Sequence, residues 1–323
     1  MISPRSSLFT FRDERDDDRG VPFGCSSFQH GLAVFEGIRC YSSAIFRLDE
    51  HLSRLLASAR LLGLSHYYTL DYLRAAVLRA ATASSLPDSY LRPVIYTPDP
   101  YLTVDAAALD FTLAIEVWGC QPETGRPATS GGDQPPGARL TISDWRRPSP
   151  SSFPPRAKAT GMYVTSALAK TAAARAGCDD AIQLDPDSGR VAEATSANVF
   201  LVCDGELRTP WLEDSLLAGI TRDSMLALAR ELGIPVREEP VEVAALLAAD
   251  EVFLTGTAAE LVPVGSIDDR RYDAARPVFT ALAGAFRDAV SGATFGQLNW
   301  LTPVLPAPTV DGYPPARSAA PSR

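Results

Sequence analysis

The sequence predicts a two-domain mixed fold, α/β (α+β), and three observations carry that expectation. The chain has 323 residues, 46% of them hydrophobic and 21% charged, a globular composition with room for two cores. From Ser26 onward, short β-patterned runs alternate with helical stripes. A stretch rich in Gly, Pro, Gln and Thr over residues 119–137 interrupts the series as a linker would. These features divide the chain into a small N-terminal α/β domain at 23–118, a linker at 119–138 and a larger C-terminal domain at 139–302. Residues 1–22 and the Pro- and Ala-rich residues 303–323 are expected to be disordered tails.

In the first domain, strands are expected at 34–35 and 38–41 around Gly37, and at 44–48. Asp49 then serves as N-cap to a helix over 50–62. Its apolar residues Leu52, Leu55, Leu56, Ala59 and Leu62 form one stripe, and Gly63 ends it. A second helix follows at 70–83, then strands at 90–97 and 111–118. Beyond the linker comes a strand at 139–143, and a proline-rich loop at 148–156 leads to Lys158. A helix at 163–176 closes at Gly177. Strands follow at 180–184, 198–203 and 207–209, then a helix at 221–232 stopped by Gly233 and Pro235. A strand at 236–238, a helix at 241–248, a strand at 251–255 and a helix at 279–290 complete the series.

Composition narrows the functional classes. A net charge of −9 disfavours the phosphate grip that nucleic-acid binding needs, and no apolar run is long enough to span a membrane. Five widely spaced cysteines without a CxxC, and three histidines without an HExxH, argue against a disulfide framework or a metal site. The N-terminus lacks the apolar core of a signal peptide. The expectation is a cytoplasmic protein with no metal.

Lysine is nearly absent. Lys158 and Lys170 are the only two, so 28 of the 30 basic residues are arginine. Arginine cannot replace lysine where a deprotonated amine must attack a carbonyl. Lys170, mid-helix, suits a surface lysine; Lys158, after a Pro-Pro pair, suits an amine presented to a cavity.

Two segments have the chemistry of an anion cradle. Gly219-Ile220-Thr221 precedes a helix, whose free N–H groups favour a phosphate. Thr255-Gly256-Thr257-Ala258 ends a strand, where a glycine lets successive N–H groups converge. Taken singly, each reads more readily as ordinary capping. Glu193, among small apolar residues, either faces solvent or pairs with a buried cation.

Together these residues resemble the fold-type-IV pyridoxal-phosphate enzymes, and among them most closely the branched-chain amino-acid aminotransferases. The resemblance runs from about Gly24 to Trp300. It rests on Gly31-Leu-Ala-Val-Phe-Glu-Gly-Ile-Arg39, Phe46-Arg-Leu-Asp-Glu-His-Leu-Ser-Arg54, Tyr90-Leu-Arg92, Ala157-Lys158-Ala-Thr-Gly-Met-Tyr163, Glu193 with Asn198-Val-Phe200, Gly219-Ile-Thr-Arg-Asp223 and Gly256-Thr-Ala-Ala-Glu260. Seven segments in order make coincidence negligible.

The resemblance implies a role for each. Lys158 is the catalytic residue and holds pyridoxal 5'-phosphate as a Schiff base. Glu193 pairs with the pyridine nitrogen, and Tyr163 bonds the ring hydroxyl. Arg54, Ile220, Thr221 and Thr257 hold the phosphate. Phe35, Tyr90 and Trp118 wall an apolar substrate pocket, Arg92 accepts the second carboxylate of glutamate, and Thr257 and Ala258 hold the substrate carboxylate. The implied activity transfers an amino group between a branched-chain L-amino acid and 2-oxoglutarate, in a homodimer. The Tyr-x-Arg pattern favours this over D-amino-acid or amine transaminases and an aminodeoxychorismate-lyase-like enzyme. The presence of Lys158 and Glu193 disfavours a non-catalytic homologue. The chain departs from the family pattern in its first 22 residues, in its long linker, and at His30 and Gln121, which stand where tyrosines are usual and imply an altered pocket.

Overall fold

The computed structural model describes residues 8–12, 21–120, 137–213 and 215–305. In chain order its first part comprises β1 (Leu8–Arg12), α1 (Ser26–Gln29), β2 (Ala33–Phe35), β3 (Ile38–Tyr41), β4 (Ala44–Phe46), α2 (Leu48–Leu61), α3 (Leu70–Ser84), β5 (Ser89–Tyr96) and β6 (Thr112–Gly119). The second part comprises β7 (Ala138–Ile142), α4 (Tyr163–Arg175), β8 (Asp180–Leu184), β9 (Val191–Ala194), β10 (Asn198–Cys203), β11 (Glu206–Pro210), α5 (Ile220–Glu231) and β12 (Val236–Glu239). Then follow α6 (Val243–Ala248), β13 (Glu251–Gly256), β14 (Glu260–Ile267), β15 (Arg270–Arg271), α7 (Pro277–Ser291) and β16 (Leu301–Pro303).

The first sheet has the order β1-β6-β5-β3-β4-β16, with β2 also on β5, and every pair is antiparallel. Strand alternation divides its side chains between two faces. The row Ile38, Leu91 and Val117 joins Leu52 and Leu55 of α2 and Leu73 and Val77 of α3 in one buried core. Each such buried aliphatic side chain stabilises the fold by about 1.5–3 kcal/mol. The next row, Arg39, Tyr90 and Trp118, falls on the opposite face, which is therefore available to a site.

The second sheet has the order β12-β11-β10-β13-β14-β7-β8-β9, with β15 on β14. Only β7–β8, β7–β14 and β11–β12 are parallel. Helix α4 makes the crossover from β7 to β8. β9 packs back against β10 and β11, so the sheet curls round a core that includes Ile182, Val199, Leu201 and Val252. A third apolar cluster joins the halves. Phe46 of β4 meets Phe286 of α7 edge-on at 5.5 Å and Trp300 at 5.5 Å.

Several expectations are corrected. Within the expected N-terminal tail, Leu8–Arg12 is a strand in full register with β6, from Leu8↔Trp118 to Arg12↔Ala114. At the other end, β16 returns to pair with β4, so residues 301–303 complete the first sheet. Residues 1–7, 13–20 and 306–323 lie outside the described residues. So do 121–136 of the expected linker, whose flanks Gly119 and Ala138 belong to β6 and β7.

Asp49 is not an N-cap. α2 starts at Leu48 after a left-handed Arg47 (φ 50°), because Arg47 is already fixed, its N–H on Trp300 O and its guanidinium on Glu50 and Asp223. Strand β14 is absent from the sequence reading because Pro263 and Gly265 resemble breakers. The strand absorbs them with a bulge between Val264 and Ser266.

Candidate active site

Lys158 lies at the junction of the two halves. Its carbonyl accepts the Phe35 N–H at 3.0 Å, and Ala159 bridges to Val34, so the segment runs as a short extra strand beside β2. Its own N–H donates to Ser58 Oγ of α2 at 3.0 Å. With the backbone held on both sides, Nζ extends into a cleft. There it lies 2.7 Å from Tyr163 Oη and 5.0 Å above the Phe35 ring. Lys170, by contrast, is half-exposed and bonds Asp179 O and Asp180, a structural helix residue.

The N-terminus of α5 forms one end of the cleft, with Gly219, Ile220 and Thr221 in its lining. Gly219 is the N-cap and has no side chain to close the first turn, which leaves the N–H groups of that turn for an anion. A Cβ at Gly219 would overlap Asn198 Oδ1, so this approach requires glycine. Arg54 of α2 faces the same end. Its Nε and Nη2 donate to the two Glu36 oxygens at 2.6 and 2.9 Å, and its Nη1 donates to Ala218 O at 2.7 Å.

Glu36 is fully buried and also accepts from His51 Nδ1 at 2.8 Å. Burial pushes the Glu36 carboxyl up, but Arg54 and His51 overcome it and hold the group well below the usual carboxylate range. Burial pushes the His51 pKa down, against the opposing pull of Glu36. An ionised carboxylate can only accept, so the His51 proton is on Nδ1.

Glu193 is in β9, and it is buried. Its Oε1 lies 3.1 Å from Arg147 Nη2, and its Oε2 accepts from Asn198 Nδ2 at 3.0 Å and Leu217 N at 3.2 Å. Burial raises its pKa, against the opposing pull of Arg147 and the Leu217 N–H. Glu193 thus takes the buried, cation-paired alternative of the two open in the sequence.

On the cleft-facing side of the first sheet, Arg92 lies over three aromatic rings, 4.6 Å from Phe35, 5.7 Å from Tyr90 and 5.9 Å from Trp118. It donates to Tyr90 Oη at 3.3 Å. It has no carboxylate within ion-pair distance among the described residues. Tyr90 and Trp118 pack at 6.0 Å, and Phe35 packs on Tyr163 at 5.1 Å. A Cβ at Gly37 would overlap the Tyr90 hydroxyl. Thr257 lines the cleft and Ala258 is exposed on the same β13–β14 turn. Thr255 Oγ1, also in the lining, is buried without a hydrogen-bond partner.

The structure therefore brings Arg54, Lys158, Tyr163, Glu193, Ile220, Thr221 and Thr257 to one cleft, with Phe35, Tyr90, Arg92 and Trp118 on the adjoining sheet face. Sequence reasoning missed Glu36, His51 and Arg147. The only signals were a carboxylate inside the apolar Phe35-Glu36-Gly37 turn and the i,i+3 spacing of His51 and Arg54. His30 is exposed, its ring on Thr103 O at 3.1 Å, and it is not in the cleft lining. Gln121 lies outside the described residues.

The amino-transferase class IV family model matches residues 33–267, and the chain belongs to that family of transaminases, enzymes that use pyridoxal phosphate. Its relatives are specific within the family. The branched-chain-amino-acid aminotransferase of Salmonella typhimurium is 36% identical over 315 residues, covering 94% of this chain and 99% of that protein. Among solved structures, the branched-chain aminotransferase of Thermoproteus uzoniensis with norvaline superposes with a TM-score of 0.83 at 36% identity, covering 92% of this chain and 99% of that one. The branched-chain amino acid aminotransferase of Escherichia coli gives 0.80 at 34% identity, covering 89% and 95%. A further branched-chain enzyme, solved with pyridoxamine 5'-phosphate, gives 0.85 at 33% identity, covering 93% and 99%.

Proposed function

We propose that this chain transfers the amino group of a branched-chain L-amino acid to 2-oxoglutarate, with pyridoxal phosphate held on Lys158. The observation that carries the reading is the position of Lys158 Nζ, bonded to Tyr163 Oη at 2.7 Å in a cleft lined by a buried carboxylate and the first turn of a helix.

The donor set fits the cofactor. Lys158, the single amine in the lining, would take the aldehyde, and Arg54, the uncapped N–H groups of α5 and the hydroxyls of Thr221 and Thr257 would hold the phosphate. Glu193 would pair with the ring nitrogen, and Tyr163 would bond the ring oxygen. When bound, the cofactor supplies an aldehyde that captures the amino group and a ring that withdraws electrons from the substrate Cα.

The remaining steps fall to the chain's own residues. Lys158 Nζ takes the proton from Cα and returns it on the other side of the transfer. Tyr163 Oη orients that amine. Glu193, with Arg147 beside it, would favour a proton on the ring nitrogen. Phe35, Tyr90 and Trp118 exclude water from an apolar side chain, and the N–H groups at Thr257 and Ala258 receive the α-carboxylate. Arg92 serves the second substrate, since its cation is available for the distal carboxylate of glutamate. An eliminating lyase has no use for that group, so Arg92 supports a transaminase.

The test is a half-reaction followed by absorbance. The protein loaded with pyridoxal phosphate is mixed with L-leucine, L-valine, L-glutamate and their D-forms. Conversion to the pyridoxamine form by glutamate and a branched-chain L-acid, abolished in Lys158→Ala, is the expected result. Conversion by D-forms alone, or none by any donor, overturns the reading.

The same reading takes the working unit as a cytoplasmic homodimer. The exposed apolar residues Phe23, Phe28, Tyr101 and Val104 support a second copy as their cover, and no described helix is long and apolar enough to cross a membrane. Light scattering at micromolar concentration tests the dimer, and a monomer mass overturns it.

A further inference from the structure

We infer that Glu36 is a positioning residue for the phosphate end of the cleft, acting by fixing the Arg54 guanidinium at the expense of local positive charge. This rests on the reading that the cleft holds pyridoxal phosphate.

The geometry leaves Arg54 little freedom. Glu36 takes Nε and Nη2 in a fork, at 2.6 and 2.9 Å, and Ala218 O takes Nη1 at 2.7 Å. A fork of this kind fixes the guanidinium plane as well as its place. Glu36 is itself held by the Gly37 N–H at 3.2 Å and by His51 Nδ1 at 2.8 Å, and its backbone N–H donates to Pro93 O. Three remote stretches are thereby joined: the β2–β3 turn, helix α2 and the Ala218 segment that leads into α5. Nη1 and Nη2 each keep one N–H that these bonds do not use, and Arg54 lines the cleft together with Gly219, Ile220 and Thr221 of the α5 N-terminus.

Charge alone predicts the opposite design. A phosphate would bind more tightly to an unpaired arginine, and Glu36 places a second anion next to it. Glu36 therefore weakens the electrostatic attraction while it supplies order. An ordered donor loses less freedom on binding, and an unpartnered buried arginine would be costly to hold. The two effects have opposite signs, so their sum can be measured.

The experiment compares dissociation constants of the cofactor-stripped full chain for pyridoxal phosphate and for pyridoxal, which lacks the phosphate. In Glu36→Gln the ratio of the two is expected to shift at least about tenfold against pyridoxal phosphate, an effect of about 1.4 kcal/mol, with pyridoxal nearly unchanged. Glu36→Asp, with the charge kept and the reach shortened, is expected to lie between wild type and Glu36→Gln. Tighter binding of pyridoxal phosphate by Glu36→Gln, or an unchanged ratio, overturns the inference. If Glu36→Gln does not fold, His51→Gln carries the test. It loosens Glu36 with the ion pair intact, and a ratio shift of about threefold or more supports the inference while no shift overturns it. Failure of the wild type to bind pyridoxal phosphate would instead overturn the functional reading.

Discussion

Arg147 Nη2 lies 3.1 Å from Glu193 Oε1 with both side chains buried, so the carboxylate that faces the cleft carries its own counter-cation. Arg147 is fixed in turn by Nε on Ser215 O at 3.0 Å and by its backbone N–H on Leu184 O. Burial already pushes the Glu193 carboxyl up, and Arg147 is the charge that opposes it. Arg147→Met removes that opposition, so Glu193 takes up a proton at higher pH than in the wild type. Loss of one charge-assisted buried interaction, on the order of 1.5–3 kcal/mol, predicts kcat/KM about 10- to 150-fold lower. The pH profile should also move, with activity recovering toward alkaline pH. An unchanged profile with lower stability would assign Arg147 to the fold alone.

Arg92 separates the two substrates. Its guanidinium covers the rings of Phe35, Tyr90 and Trp118 and has only the Tyr90 hydroxyl as polar partner among the described residues. Arg92→Met keeps much of the side-chain volume and removes the charge. Glutamate and 2-oxoglutarate should lose about 1–3 kcal/mol of transition-state stabilisation, or about 5- to 150-fold in kcat/KM, while leucine changes less than about threefold. Equal losses for both substrates would assign Arg92 to packing.

Gly37 and Tyr90 are coupled by space. A methyl group at Gly37 overlaps the Tyr90 hydroxyl, and overpacking of this kind costs about 1–3 kcal/mol. Gly37→Ala should lower the urea midpoint and raise KM for every amino donor. In a Tyr90→Leu background the same change should cost much less. Additive effects on stability would show that the glycine is required for some other reason.

These relationships were unequally legible in the sequence. Lys158, Tyr163, Glu193 and Thr221 each lie in a short contiguous segment, and their roles followed from the resemblance of seven such segments in order, not from any one segment alone. Glu36, His51 and Arg147 act through partners that only folding brings together, Glu36 with Arg54 from another element and Arg147 with Glu193 across 46 positions. Strand β9, which carries Glu193, is four residues long and entirely buried, with no alternation to mark it. Strand β1 follows from pairing with β6 rather than from its own pattern.

Asp185 connects acid stability to the site. Burial pushes its carboxyl up, but hydrogen bonds from Ser188 and Ser215 overcome this and lower it from 3.8 to about 2. The Ser215 N–H donates to Asp185 Oδ2 at 3.0 Å, and Ser215 O in turn holds Arg147 Nε. A carboxyl with a depressed folded pKa adds stability that is present above its unfolded pKa near 4 and is lost as pH falls through about 2. Solvent screening reduces that contribution to on the order of 1 kcal/mol. Asp185→Asn should therefore unfold at lower urea than the wild type at pH 6, and the gap should narrow between pH 4 and pH 2. Urea titrations of both proteins across that range measure it. A gap that persists undiminished at pH 2 would mean that Asp185 acts through its shape and not its charge.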